Sequence, residues 1–84
     1  MEAIFKPGDY IINRASGDIA IIDKITKKNY YHFKEYYGSM FHELKDTKNP
    51  LYDLQVDYQK LFDLCTEDEK KKLDDIIEKK KVDK

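Results

Sequence analysis

The stretch from Gly8 to Tyr37, GDYIINRASGDIAIIDKITKKNYYHFKEYY, holds three apolar-rich runs separated by two tight-turn signals. That spacing constrains the chain more than any other feature, because it reads as a three-stranded antiparallel meander that the remaining residues cover or extend. Lys6-Pro7-Gly8-Asp9 is turn chemistry, since proline fixes its own φ and glycine tolerates any. Between Asp9 and Arg14, Tyr10-Ile11-Ile12 has strong β propensity, and the run stops at Ala15-Ser16-Gly17-Asp18, where glycine can take the positive φ of a hairpin. Ile19 to Ile25 carries four isoleucines, whose stiff β-branched side chains favour a strand. Ile21 and Ile22 are adjacent, so both faces are apolar there, as expected of a central or sharply bent strand. Lys27-Lys28-Asn29 is the second turn, with asparagine a good left-handed residue. From Tyr30 to Tyr37 the chain alternates Tyr31, Phe33, Glu35 and Tyr37, expected inward, with Tyr30, His32, Lys34 and Tyr36, expected outward. After the break at Gly38-Ser39, Met40 to Leu44 is a short candidate fourth strand.

The 84 residues form one domain (1–84), with a β meander over 5–45 and a helical part over 50–82. Asn49 before Pro50 is a helix-start signal. Leu51, Leu54, Tyr58, Leu61 and Cys65 then recur every three or four positions, joined by Phe62. A rival pattern exists in Tyr52, Leu54, Val56 and Tyr58, which alternate as a strand would. Length and capping favour the helix. Thr66-Glu67-Asp68-Glu69 is a capping box opening a second helix, with acids in its first turn, Lys79 to Lys81 in its last, and a narrow apolar stripe of Leu73, Ile76 and Ile77. Val82 to Lys84 should fray. The expected class is α+β: a meander of three to four strands followed by two C-terminal helices.

Phe5-Lys6-Pro7-Gly8-Asp9-Tyr10-Ile11-Ile12, a turn, Asp18-Ile19-Ala20-Ile21-Ile22 and an aromatic third strand resemble the opening of SH3-like small β-barrels. The layout is also similar to short proteins of phages and mobile elements that begin with such a strand. The resemblance covers about Phe5 to Leu44 and implies a small barrel, complete or incomplete. It implies little about activity, because many unrelated functions use that barrel.

Charge excludes more than it selects. Sixteen basic and seventeen acidic residues nearly cancel, and both halves are balanced, so any electrostatic site must be local. One cysteine, Cys65, rules out an internal disulfide or a cysteine-built metal cluster and suits the reducing cytoplasm. The N-terminus lacks the pattern of a secretory signal, and no stretch is apolar enough to span a bilayer. No P-loop, nucleophile elbow, dinucleotide fingerprint or H-E-x-x-H is present. Cys65 falls on an apolar stripe, where cysteine is usually a small hydrophobe. His32 and His42 match no metal-site spacing. The chain is therefore expected to be non-catalytic, with no cofactor and no metal.

Recognition is what remains. Seven tyrosines and no tryptophan give rings that pack while their hydroxyls stay wet. Tyr30, His32, Lys34, Tyr36 and Phe41 are the candidate contacts to another protein or a second copy, in an adaptor or, for a phage-borne chain, an inhibitor of a host protein. The alternative is a single-stranded nucleic-acid platform made of Lys27, Lys28, Tyr30, Lys34 and Tyr36. Tyrosines also alternate on exposed strands simply because they fit a half-wet sheet, and the neutral balance removes the usual phosphate attraction. Protein binding is the preferred expectation. A membrane-surface role is not, because the helical stripe is thin and lacks aromatic anchors.

Overall fold

Two apolar faces on one sheet organise the chain. In the computed structural model, which describes residues 1–82, the strands are β1 (Tyr10–Ile12), β2 (Ile19–Ile25), β3 (Tyr30–Gly38), β4 (Glu43–Leu44), β5 (Leu54–Gln55) and β6 (Asp63–Leu64). Among the described residues a single α-helix, α1 (Glu67–Val82), follows. The sheet is antiparallel in the order β4-β3-β2-β1-β6, and β5 adds to β3. The class is α+β, as expected. Of the segment Val82 to Lys84 expected to fray, Val82 closes α1, and residues 83 and 84 lie outside the described residues.

The three long runs fold where the sequence puts them. Gly8 and Gly17 take φ values of 91° and 85°, and Asn29 takes 67°, so each turn is built on the residue that tolerates it. The adjacent isoleucine pairs are explained by the layers on either side of the sheet. Ile11, Ala20 and Ile22 face one way, into a cluster with Phe5, Tyr31, Phe33, Val56 and Phe62. Ile12, Ile19 and Ile21 face the other way, into a cluster with Tyr37, Cys65 and Leu73 beneath α1.

The β2–β3 pairing carries two register shifts, and the one at Lys34 corrects the expected alternation of β3. Ile21 pairs with Glu35 and Ile22 with Phe33, so Lys34 is skipped; the next pair is Lys24 with His32, so Asp23 is skipped. A strand that gains a residue in this way exchanges its faces beyond that point. Tyr36 therefore joins Tyr31 and Phe33 at the first cluster. Tyr37, expected on the Phe33 face, is buried under α1 instead.

The expected helix over Leu51 to Cys65 does not form. Asn49 does cap, accepting from the Leu51 N–H at 3.0 Å, but the turn it starts is a 3₁₀ piece, Pro50–Tyr52. β5, a second 3₁₀ piece (Val56–Leu61) and β6 complete the segment. The apolar stripe is split: Phe62 and Cys65 are buried, whereas Leu51 and Leu61 are 85% and 62% exposed. Strand edges compensate the lost helical bonds, since β5 pairs with Tyr30 and Tyr31, and β6 with Ile11 and Ile12. Buried Gln59 ties the segment down. Its Oε1 accepts from the Tyr31 hydroxyl and the Ile4 N–H, and its Nε2 donates to the Glu2 carbonyl at 2.6 Å. The candidate fourth strand shrinks to β4, leaving Met40 to His42 as a loop.

The capping box forms in both directions. Glu69 N–H donates to Thr66 Oγ1 at 3.2 Å and Thr66 N–H donates to Glu69 Oε1 at 2.8 Å. Leu73, Ile76 and Ile77 then line the face of α1 that meets the sheet. Tyr10 sits between Lys70 and Asp74, one helical turn apart, and donates to the Asp74 carboxylate at 2.6 Å. That bond and partial burial push the Tyr10 phenol up to about 12. Among the described residues no helix is long and apolar enough to cross a membrane.

Candidate functional site

β3 separates the candidate residues rather than gathering them. At its start, Thr26, Lys27, Lys28 and Tyr30 line a groove of about 490 Å³ with Pro50 and Asp53. At its end, Met40, Phe41 and Lys45 line a second cleft of about 500 Å³ with Ala15, Ser16, Asp18, Gly38 and Ser39.

The first groove is held by the β2–β3 turn. Thr26 N–H donates to the Tyr30 carbonyl at 2.7 Å, and Thr26 Oγ1 accepts from the Tyr30 N–H at 3.2 Å. The Asn29 carbonyl accepts from the Val56 N–H at 3.0 Å. Asn29 Nδ2 also donates to the Met1 carbonyl. Lys27 and Lys28 are thus exposed side chains on a backbone fixed from both sides. Tyr30 is half-buried. His32 stands beside the groove, its Nδ1 2.8 Å from Asp53 Oδ1, so the one carboxylate on the groove wall is engaged. Lys34 is exposed at the register shift.

Tyr36 belongs to neither opening's free surface. Its ring centroid is 5.5 Å from Phe33 and 5.7 Å from Tyr52, and its hydroxyl donates to Asp18 Oδ2 at 2.8 Å. Burial first, then this bond to a carboxylate, raise the phenol well above its ordinary value. The outward placement expected for Tyr36 from strict alternation is therefore replaced by an inward one, and the expected row of outward rings is reduced to Tyr30.

Asp18 joins the two loops of the second cleft. Besides Tyr36 it accepts from the Ser39 N–H at 2.8 Å, so the β1–β2 hairpin holds the loop that follows β3. The mount is finished by His42, which takes φ 50° and places its Nδ1 2.9 Å from the Tyr37 hydroxyl. On this mount Met40 and Phe41 are 82% and 69% exposed. Lys45 stands against the Phe41 ring, its Nζ 5.2 Å from the ring centroid and 2.7 Å from Glu43 Oε1. Lys45 passes close to Gly38: a Cβ there would stand 2.8 Å from Lys45 Cε, the flexible end of that side chain.

Cys65 is buried between β6 and α1, and burial pushes its thiol up to about 11, away from the thiolate a nucleophile needs. Among the described residues no three His, Cys, Asp or Glu side chains gather as metal ligands would.

Sequence reasoning missed Asp18, Gln59 and Asp53. Asp18 followed Gly17 and read only as turn chemistry. Gln59 and Asp53 lay inside the supposed helix and carried no signal of their own. Comparisons with protein-family models, with curated proteins and with solved structures find no match for this chain.

Proposed function

We propose that the chain is a small non-catalytic protein-binding module, an adaptor or an inhibitor of a host protein, whose anchor is Met40 and Phe41. The observation that carries this reading is the pairing of exposure with rigidity. Two large apolar side chains, 82% and 69% exposed, stand on a loop fixed by Asp18, Ser39 and His42. Burying each against a partner is worth about 1.5–3 kcal/mol, and a loop already ordered loses little entropy on binding. Tyr30, in the groove, and His32 and Lys34, further along β3, lie outside this anchor.

We also infer an SH3-like architecture left as an incomplete barrel. It is supported by a last strand, β6, that pairs with β1, preceded by a 3₁₀ turn, and by β5 continuing the free edge of β3. A phage-type origin and a cytoplasmic setting belong to the same reading.

The test compares three immobilised proteins in a bacterial host lysate: the unaltered chain, a Met40→Ser/Phe41→Ser double variant, and Lys34→Ser as a surface control. The expected result is a protein retained by the unaltered chain and the control but lost by the double variant. Light scattering of the purified pair should then give the same pattern. Equal retention by the double variant refutes the anchor.

A further inference from the structure

We propose that the groove between the β2–β3 turn and the 3₁₀ piece Pro50–Tyr52 takes a segment of single-stranded nucleic acid, with a base against Tyr30 and Pro50 and its flanking phosphates on Lys27 and Lys28. This goes beyond the protein-binding reading and uses the opposite end of β3.

Three observations carry it. The groove, about 490 Å³, places a half-buried tyrosine ring and a proline in its walls beneath two consecutive lysines. A flat apolar wall beside cations is what stacking of an unpaired base requires, and it is tolerant of sequence because every base has a π face. Second, the lysines are uncommitted while the nearby acids are not. Asp53 is engaged by His32 at 2.8 Å and Asp57 lies 3.9 Å from the N-terminal ammonium. Among the described residues neither Lys27 nor Lys28 takes part in an ion pair. Two lysines set against the Asp53 carboxylate thus leave a net positive rim on a nearly neutral chain. Third, the turn is anchored to β3, to Val56 and to the N-terminal lead-in, so the cations are presented without an ordering cost in the backbone.

Two phosphates set the expected magnitude. Single strands give a slope of log affinity against log salt of about −0.7 per phosphate neutralised, hence about −1.4 here, or roughly a sevenfold loss between about 50 and 200 mM salt. The probe is a fluorescein-labelled oligothymidylate, read by anisotropy. Lys27→Gln/Lys28→Gln should flatten the slope towards zero. Tyr30→Leu, which keeps apolar bulk beside Gln55, should weaken binding roughly five- to a hundredfold at unchanged slope. Circular dichroism checks that each variant is folded. Met40→Ser/Phe41→Ser should leave binding unchanged, which separates this groove from the proposed protein anchor. No anisotropy change at about 50 mM salt overturns the proposal. So does binding that survives both groove variants, equal affinity for thymidine monophosphate, or equal competition by polyglutamate of matched charge.

Discussion

Leu73→Ala tests whether α1 is held to the sheet by one side chain. Leu73 is the only fully buried residue of α1 among those described, and it meets Ile12, Ile19, Ile21, Tyr37 and Cys65. Ile76 and Ile77 are only partly buried at the margin of the same cluster. Truncating a buried leucine costs about 2–5 kcal/mol through lost transfer energy and the cavity left behind. A chain of this length has roughly 4–13 kcal/mol of total stability, so the change is a large fraction of it. With a urea m-value of about 1 kcal/mol/M for a small domain, the midpoint should fall by about 2 M or more.

The cluster also contains its own reporter. Cys65 is buried against Leu73, with its thiol raised to about 11, so iodoacetamide reaches it only when α1 lifts or the domain unfolds. A loss of about 2–5 kcal/mol should raise the labelling rate from roughly thirtyfold to a few thousandfold, at tenfold per 1.4 kcal/mol. Leu51→Ala is the matched control: the same chemistry at an 85% exposed site should change stability by less than about 0.5 kcal/mol. If Leu73→Ala shifts the midpoint by less than about 0.5 M and leaves Cys65 labelling within about threefold of the unaltered chain, the docking of α1 does not rest on Leu73.

Gln59→Leu should destabilise by about 1–3 kcal/mol in urea titration, because the Tyr31 hydroxyl and Ile4 N–H lose their acceptor at a buried site; a neutral result would mean the bridge is replaceable. Gly17→Ala should cost about 1–2 kcal/mol, since φ is 85° and the new methyl would meet Ser39 Oγ at 3.0 Å; an unchanged thermal midpoint would contradict this. Glu69 predicts an acid limb. Arg14, whose guanidinium donates to both carboxylate oxygens at 2.8 and 3.2 Å, and the Thr66 N–H hold it at about 2 instead of the ordinary 4.5. Its contribution is present above the unfolded value and lost as pH falls from 4.5 towards 2. Glu69→Gln should flatten thermal stability in that window, and an unchanged acid limb would refute the assignment.

What was legible in the sequence was local. Tyr10-Ile11-Ile12, Ile19 to Ile25 and Tyr30 to Tyr37 are strands because β-branched and aromatic runs sit between turn residues. The capping box at Thr66 needs only four residues to specify it. The register shifts at Asp23 and Lys34 were not legible, because they follow from fitting two apolar faces to two different layers, and a single strand read alone carries only the alternation. Tyr36 was misplaced for that reason. Leu51 to Cys65 went wrong for a related one. Its spacing satisfies a helix, but Gln59 has a buried partner in Tyr31, and the edges of β1 and β3 offer pairing that no local pattern records. Of the candidate site, Tyr30, Lys27 and Lys28 come together in the groove and Phe41 comes to the other cleft.

The shift at Lys34 also decides how the two openings can act. By sending Tyr36 inward it removes the ring that would have bridged them, leaving β3 with a groove before Tyr30 and an apolar tip after Gly38. Nine residues of strand separate the two by up to about 26 Å at about 3.3 Å per residue. Screening at physiological salt acts over about 8 Å, so the lysines of one end exert almost no field at the other. Substitutions in the two sites share no partner side chain and should add within about 0.3–0.5 kcal/mol. A double-mutant cycle between Phe41→Ser and Lys28→Gln therefore has a definite expectation of no coupling in either binding reaction. A coupling above about 1 kcal/mol would mean that one ligand spans both ends of β3, and the assignment of two independent sites would fail.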